Sequence, residues 1–288
     1  MYPREQYLKK IISKKDNGRI KIITGLRRSG KSVLLFRLYR EWLLGEGVKE
    51  DQIIALALDI LENAKYRNPL ELDKYVRDHM VDPKKRYYIF IDEIQFVSEI
   101  RNPYVDNEDA KITFIDVILG FMHMDNADVY VTGSNSKMLS SDILTQFRDR
   151  GDEIRVYPLS FAEFYNEYEG DKRGAWQDYY TYGGMPLATS LESHEEKSRY
   201  LKDLFDRTYI KDVLERHEIK NDTEVLDILL DVLASGIGSL TNPSKMANAF
   251  KSERKIVVVR DYLKPWQDEN GITYVGIEQF LLNEDLLK

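Results

Sequence analysis

The chain has 288 residues, 43% of them hydrophobic and 32% charged, which is enough apolar surface for a real core and a length that suggests about two domains. Zero cysteines exclude a disulfide framework, a thiolate zinc site and a cysteine nucleophile; four scattered histidines (His79, His123, His194, His217) leave little for a histidine metal site, so any metal is expected on oxygen ligands. The net charge of −7 argues against a generally basic nucleic-acid binder, but residues 1 to 40 carry 12 Lys/Arg against two Asp/Glu, a balance of +10 that leaves −17 for the remainder. The N-terminal MYPREQYLKK lacks a signal-peptide core, and no run approaches the ~18 apolar residues of a membrane span, which predicts a cytoplasmic chain with no membrane partner.

The first strand predicted is Ile20 to Thr24, a β-branched run that leads directly into Gly25-Leu26-Arg27-Arg28-Ser29-Gly30-Lys31-Ser32, a complete G-x-x-x-x-G-K-[ST] pattern followed by Val33. The two glycines let the backbone curl so that its N–H groups face phosphates, Lys31 supplies a point charge, and the Ser32 hydroxyl suits magnesium. Apolar residues at 34, 35, 38, 42 and 43 predict a helix after the loop, its N-terminal dipole facing the anion. Arg27 and Arg28 are readable as phosphate or partner contacts, or as surface arginines; the basic N-terminal region is readable as a solvated face or as part of the anion site.

Gln52 to Asp59 is a second buried-strand candidate. Tyr87 to Asp92 is the third, ending in the adjacent carboxylates Asp92 and Glu93. Asp92 fits the acid that orients magnesium, and Glu93 the base that polarises a water for in-line attack on a γ-phosphate. Asp128 to Gly133 and Glu153 to Tyr157 complete five strands separated by helix-length sequence, predicting an α/β fold: a P-loop NTPase parallel sheet with helices on both faces. The extra strand between the two motifs predicts that the fourth strand lies between the first and third. Ser134 and Asn135 follow that strand as candidate γ-phosphate sensors, or else as a capped turn. Arg148 and Arg150, just before the fifth strand, are candidates for a charge reaching a neighbouring subunit's γ-phosphate, or a solvated pair. Ser160 to Glu163 reads as a capping box, Gly183 to Pro186 as a turn, and residues 195 to 217 and 223 to 235 as amphipathic helices.

GLRRSGKS, YYIFIDEIQ, VYVTGSNSKMLSSDI, the segment ending VYPLSFAEF, and YYTYGGMP, in that order, resemble a family of prokaryotic AAA-type ATPases in which an N-terminal ATPase domain precedes a C-terminal domain of unknown function. The likeness runs from about Pro3 to Glu253. It implies ATP and magnesium binding, with Lys31, Ser32, Asp92 and Glu93 on the nucleotide motifs, Ser134 or Asn135 at the sensor, and Arg150 on the arginine of a G-R pair whose glycine is replaced here by Asp149. It also implies a winged-helix unit opening near Thr241 and a nuclease-like region, most of which is absent after Glu253. The corresponding domains are 1–165 for the ATPase, 166–253 for a mainly helical part with the start of the winged helix, and 254–288 for a short β tail. In that tail Ile256 to Val259 and Ile272 to Ile277 flank a turn-forming Gln267 to Gly271; two strands make only a marginal hairpin, so they are expected to pair with an edge elsewhere or to pack poorly, with no nuclease activity.

Two functions from different classes fit these features. One is a magnesium-dependent ATPase, a possible homo-oligomer, that uses turnover to move a DNA or protein client; the other is a nucleotide-gated binding switch with little or no turnover. Asn135-Ser136-Lys137-Met138 lacks the aspartate of a guanine-reading N-K-x-D motif, which disfavours a GTPase.

Overall fold

The structure, a computed structural model, describes residues 2–133, 147, 150–206, 255–259, 264–268 and 272–276. The chain forms two compact units, Met1–His217 and Glu218–Lys288.

The first unit opens with α1 (Glu5–Ser13), β1 (Ile20–Gly25) and a helical run made of α2 (Lys31–Val33), a π-helical stretch (Leu34–Tyr39) and α3 (Arg40–Gly45). β2 (Ile53–Ala57), α4 (Pro69–His79) and β3 (Tyr87–Asp92) follow, then a small antiparallel pair β4 (Ile100–Arg101) and β5 (Lys111–Ile112), α5 (Phe114–Met122), β6 (Ala127–Thr132) and β7 (Gly151–Val156). Strand order is β2-β3-β6-β1-β7, and every pairing in this sheet is parallel. The expected arrangement is therefore present: the fourth major strand, β6, lies between the first, β1, and the third, β3. Parallel neighbours require crossovers, and among the described residues the helical run after β1, on one face, and α4 and α5, on the other, lie in them.

Alternation along the strands divides the core in two. Ile22, Ile89, Ile91, Val129 and Val131 face Leu72 and Val76 of α4 and Ile118 and Phe121 of α5. Ile23, Phe90, Tyr130 and Ile154 face Tyr7 and Ile11 of α1 and Leu34, Tyr39 and Leu43 of the helical run after the loop. Both faces of the central strands are buried, which is why β1, β3 and β6 read as continuous apolar runs rather than as alternating ones. At ~25 cal/mol per Å² of apolar surface removed from water, this double burial is the main force fixing the edge where the strands end.

Among the described residues four helices follow the sheet: α6 (Phe161–Asn166), α7 (Ala175–Tyr182), α8 (Pro186–Ser190) and α9 (His194–Leu204). The Ser160–Glu163 capping box is formed, and a second, Ser193 with Glu196, starts α9. Gly183 to Pro186 is the turn expected, with Gly183 at φ 69° and Pro186 opening α8. Arg4 is buried at the start of the chain, where it donates to the Tyr157 carbonyl and lies 3.5 Å from Glu163, fastening the N-terminus to the β7–α6 junction.

In the second unit the described residues form a three-stranded sheet, β8 (Lys255–Val259), β10 (Ile272–Gly276) and β9 (Trp266–Gln267), in the order β8-β10-β9. This corrects the expectation for the tail. The two β-rich runs pair with each other, and they do so in parallel. The turn after Gln267 joins β9 to β10 as an antiparallel hairpin, closed by the Ile272 N–H on Asp268 Oδ1 at 2.8 Å and by Trp266 stacked on Tyr274 at 4.7 Å. With that edge of β10 taken, β8 adds to the opposite edge. The helix expected at 223–235 and the winged-helix opening near Thr241 lie outside the described residues.

Candidate nucleotide site

The site sits where β1, β6 and β3 end. In register, Ile23 pairs with Thr132 and Ile91 with Val131, so the loop after β1 and the carboxylates after β3 flank the end of β6. Gly25 has φ 141°, and a Cβ there would lie 2.1 Å from the Val156 carbonyl oxygen, so only glycine passes beneath β7. Gly30 has φ 98° and open space around it, and the helical run begins at the next residue. Leu26, Arg27, Arg28, Ser32 and Val33 are exposed around the loop, whereas Ser29 and Lys31 are buried.

The Lys31 ammonium donates to the Gly25 and Leu26 carbonyls at 3.1 and 3.0 Å. Burial pushes its pKa down, while the charges of Glu93 and Asp92 pull it back up and Arg27 lowers it further; the net shift is downward. Asp92 is buried. Burial is also the largest influence on its carboxyl and raises its pKa, against the stabilising hydrogen bonds from the Thr132 and Ser32 hydroxyls. Ser32 and Asp92, the two predicted magnesium ligands, thus meet across the gap between β1 and β3. Among the described residues no group of three or more His, Asp or Glu gathers, and Ser32 and Asp92 are the residues that would hold a magnesium ion here. Glu93, half-buried, follows the strand in the left-handed region at φ 55°; its N–H donates to Thr132 Oγ1 at 3.1 Å, and its carboxylate accepts from the Gln95 side-chain amide.

Residues 17–165 match the AAA domain family, just over half of the chain. The chain belongs to that family. Residues 173–264 match a domain of unknown function, DUF8612, so the order ATPase domain then uncharacterised domain holds. A protein of Haemophilus influenzae described as uncharacterized is 32% identical over 259 residues, covering 88% of this chain and 60% of that protein. One of Methanocaldococcus jannaschii is 27% identical over 269 residues, covering 87% and 55%; the chain therefore spans less than two thirds of either relative. Among solved structures, a Walker-type ATPase of Pyrococcus abyssi shares the fold with a TM-score of 0.53 at 13% identity, over 95% of this chain and 92% of that one.

Within this AAA domain, Lys31, Ser32, Asp92 and Glu93 converge at one edge of the sheet, and Arg150 does not join them. Its carbonyl accepts from the N–H of Ile20, the first residue of β1, so it stands exposed at the opposite end of the sheet, roughly 20 Å from the loop for a six-residue strand. Arg148, Ser134 and Asn135 lie outside the described residues. Thr132 and Gln95 are the site residues the sequence reading passed over. The signal for Thr132 was a hydroxyl at the end of the strand next to the one bearing Asp92. No helix among the described residues is long and apolar enough to cross a membrane.

Proposed function

We propose that the chain binds ATP with magnesium through Gly25 to Val33 and Asp92, hydrolyses it with Glu93 as the base, and uses the cycle to move a DNA or protein client. The observation that carries this reading is the convergence of Lys31, Ser32, Asp92 and Glu93 around Thr132 at the ends of three adjacent strands. The loop amides and Lys31 hold the phosphates. Asp92 and Ser32 hold the magnesium, which when bound neutralises phosphate charge. Glu93 accepts the proton of an attacking water, a role supported by the tie of its backbone N–H to Thr132. Arg150, far from its own loop, fits a role only toward a neighbouring copy, and the domain limits 1–165, 166–253 and 254–288 are part of the same proposal.

A steady-state phosphate-release assay with and without DNA, run beside calorimetric ATP binding, tests it. Lys31→Ala should lose nucleotide binding, and Glu93→Gln should keep binding and lose turnover. Equal ATP affinity in wild type and Lys31→Ala refutes the loop assignment; binding without release by the wild type supports the gated switch instead.

A further inference from the structure

Arg28, the third residue between the two glycines of the loop, is held in the left-handed region at φ 64°, a conformation uncommon for a side chain without a short polar group. Its guanidinium does not turn inward to the anion site. It lies over the ring of Tyr200 on α9, 5.6 Å from the centroid. Tyr200 and Leu201 pack against the small cluster of Met185, Ala188 and Leu204, so the ring is backed by apolar side chains on one side and covered by the arginine on the other. The Tyr200 hydroxyl is buried and has no hydrogen-bond partner among the described residues. The ring therefore owes its position to its face and its packing rather than to its oxygen. The same helices are tied at their base by the Leu159 N–H on the Gly184 carbonyl at 2.7 Å and by the Tyr2 hydroxyl on Thr189 Oγ1 at 2.8 Å. Arg28 adds a tie that reaches the phosphate loop itself.

We infer that Arg28 and Tyr200 form a clasp that holds α9 against the phosphate loop and slows the departure of bound nucleotide. The inference rests on the nucleotide reading above and adds to it a positioning residue outside the loop and the acidic pair. A cation over an aromatic face is attracted by the ring quadrupole without needing the phenol oxygen, so the clasp survives loss of the hydroxyl and fails on loss of the ring. Because the arginine belongs to the loop, α9 cannot swing away without either breaking this contact or dragging the loop with it.

The test is stopped-flow release of a fluorescent ADP from the full chain. Tyr200→Phe should release at the wild-type rate, while Tyr200→Leu and Arg28→Gln should release about 2–5-fold faster, the range a half-exposed cation–aromatic contact is worth. Amide hydrogen exchange across 194–204 in nucleotide-free protein should rise in Tyr200→Leu and Arg28→Gln and stay unchanged in Tyr200→Phe; Arg28 is exposed, so its replacement leaves no cavity to confuse the result. Tyr200→Leu matching wild type in both measurements, or Tyr200→Phe behaving like Tyr200→Leu, overturns the clasp. A wild-type protein that binds no nucleotide removes the nucleotide reading, whereas one that binds normally with unaltered variants removes this inference alone.

Discussion

The Thr132 hydroxyl donates to the Asp92 carboxylate, and the same oxygen accepts the backbone N–H of Glu93 at 3.1 Å. One side chain at the end of β6 therefore positions both neighbouring acids, and it does so because β6 runs in parallel register beside β3. Asp92 is desolvated, so its hydrogen bonds to Thr132 and Ser32 are what offset the burial of its charge.

Thr132→Val keeps the volume and removes the oxygen. Nucleotide affinity should change little, since the loop and Lys31 are untouched, while turnover should fall about 10–100-fold because the supporting hydrogen bonds of Asp92 and Glu93, the proposed ligand and base, are lost together. Thr132→Ser should retain most of the activity. Phosphate release read beside nucleotide affinity decides the matter, and an unchanged rate in Thr132→Val sinks the assignment.

Much of this was legible in the sequence because double-sided burial writes parallel strands as continuous apolar runs, as in Tyr87 to Asp92, and because the loop pattern fixes its own backbone. What was not legible depends on register. Thr132 acquires its role only once Ile91 is set beside Val131, and Tyr200 meets Arg28 only through the helices between. The tail misled for a related reason: Ile256 to Val259 and Ile272 to Ile277 look like the arms of one hairpin, and nothing local marks Trp266-Gln267 as the strand that takes the hairpin position instead.

The loop glycines should separate by mechanism. Gly25→Ala places a Cβ 2.1 Å from the Val156 carbonyl oxygen, a backbone atom that cannot swing aside, so it should cost about 3 kcal/mol or more of stability. Gly30→Ala meets open space and bears only the strain of φ 98°, about 1–2 kcal/mol. Urea unfolding of both variants checks this, and equal midpoints would contradict the close approach beneath β7.

Acid stability should depend on Asp16, near the N-terminus, and on Asp152 of β7. Burial pushes the Asp16 carboxyl up, but hydrogen bonds from Lys15 and Arg86 outweigh it and hold the group below its ordinary value; burial also pushes Asp152 up, and hydrogen bonds with Asn17 and Lys14 outweigh it and hold that group down. A carboxyl whose folded pKa is depressed adds stability above its unfolded pKa and loses it as pH falls through the folded one, so this contribution begins to fade as pH falls below about 4. Arg86→Ala removes the partner that lies 2.8 Å from Asp16, so it should lower stability at pH 7 to 8 by about the worth of a partly exposed pair and move the acid-unfolding midpoint to higher pH. Circular dichroism against pH measures it; a midpoint that stays put or falls counts against the linkage.

The pair formed by Lys21 on β1 and Asp128 on β6 lies at the other end of the sheet from the site, with side chains 0% and 1% exposed. Burial lowers the Lys21 pKa, and Asp128 opposes that shift by charge and hydrogen bond. Asp128 also accepts from the Tyr130 hydroxyl at 2.7 Å and the Asp16 N–H at 2.9 Å, so its oxygens are needed even without the lysine. Lys21→Met alone strands a buried carboxylate and should cost about 3–5 kcal/mol. Adding Asp128→Asn removes that charge while leaving one acceptor oxygen in the place of Oδ2, where both remaining donors converge, and should restore about 2 kcal/mol of the loss. Asp128→Leu in the same background discards both acceptors and should restore less than Asn does. Denaturant unfolding of the wild type, Lys21→Met, Asp128→Asn and the Lys21→Met/Asp128→Asn double variant gives the coupling directly, and penalties that simply add, with the double variant weaker than either single one, would show that the two charges do not depend on each other.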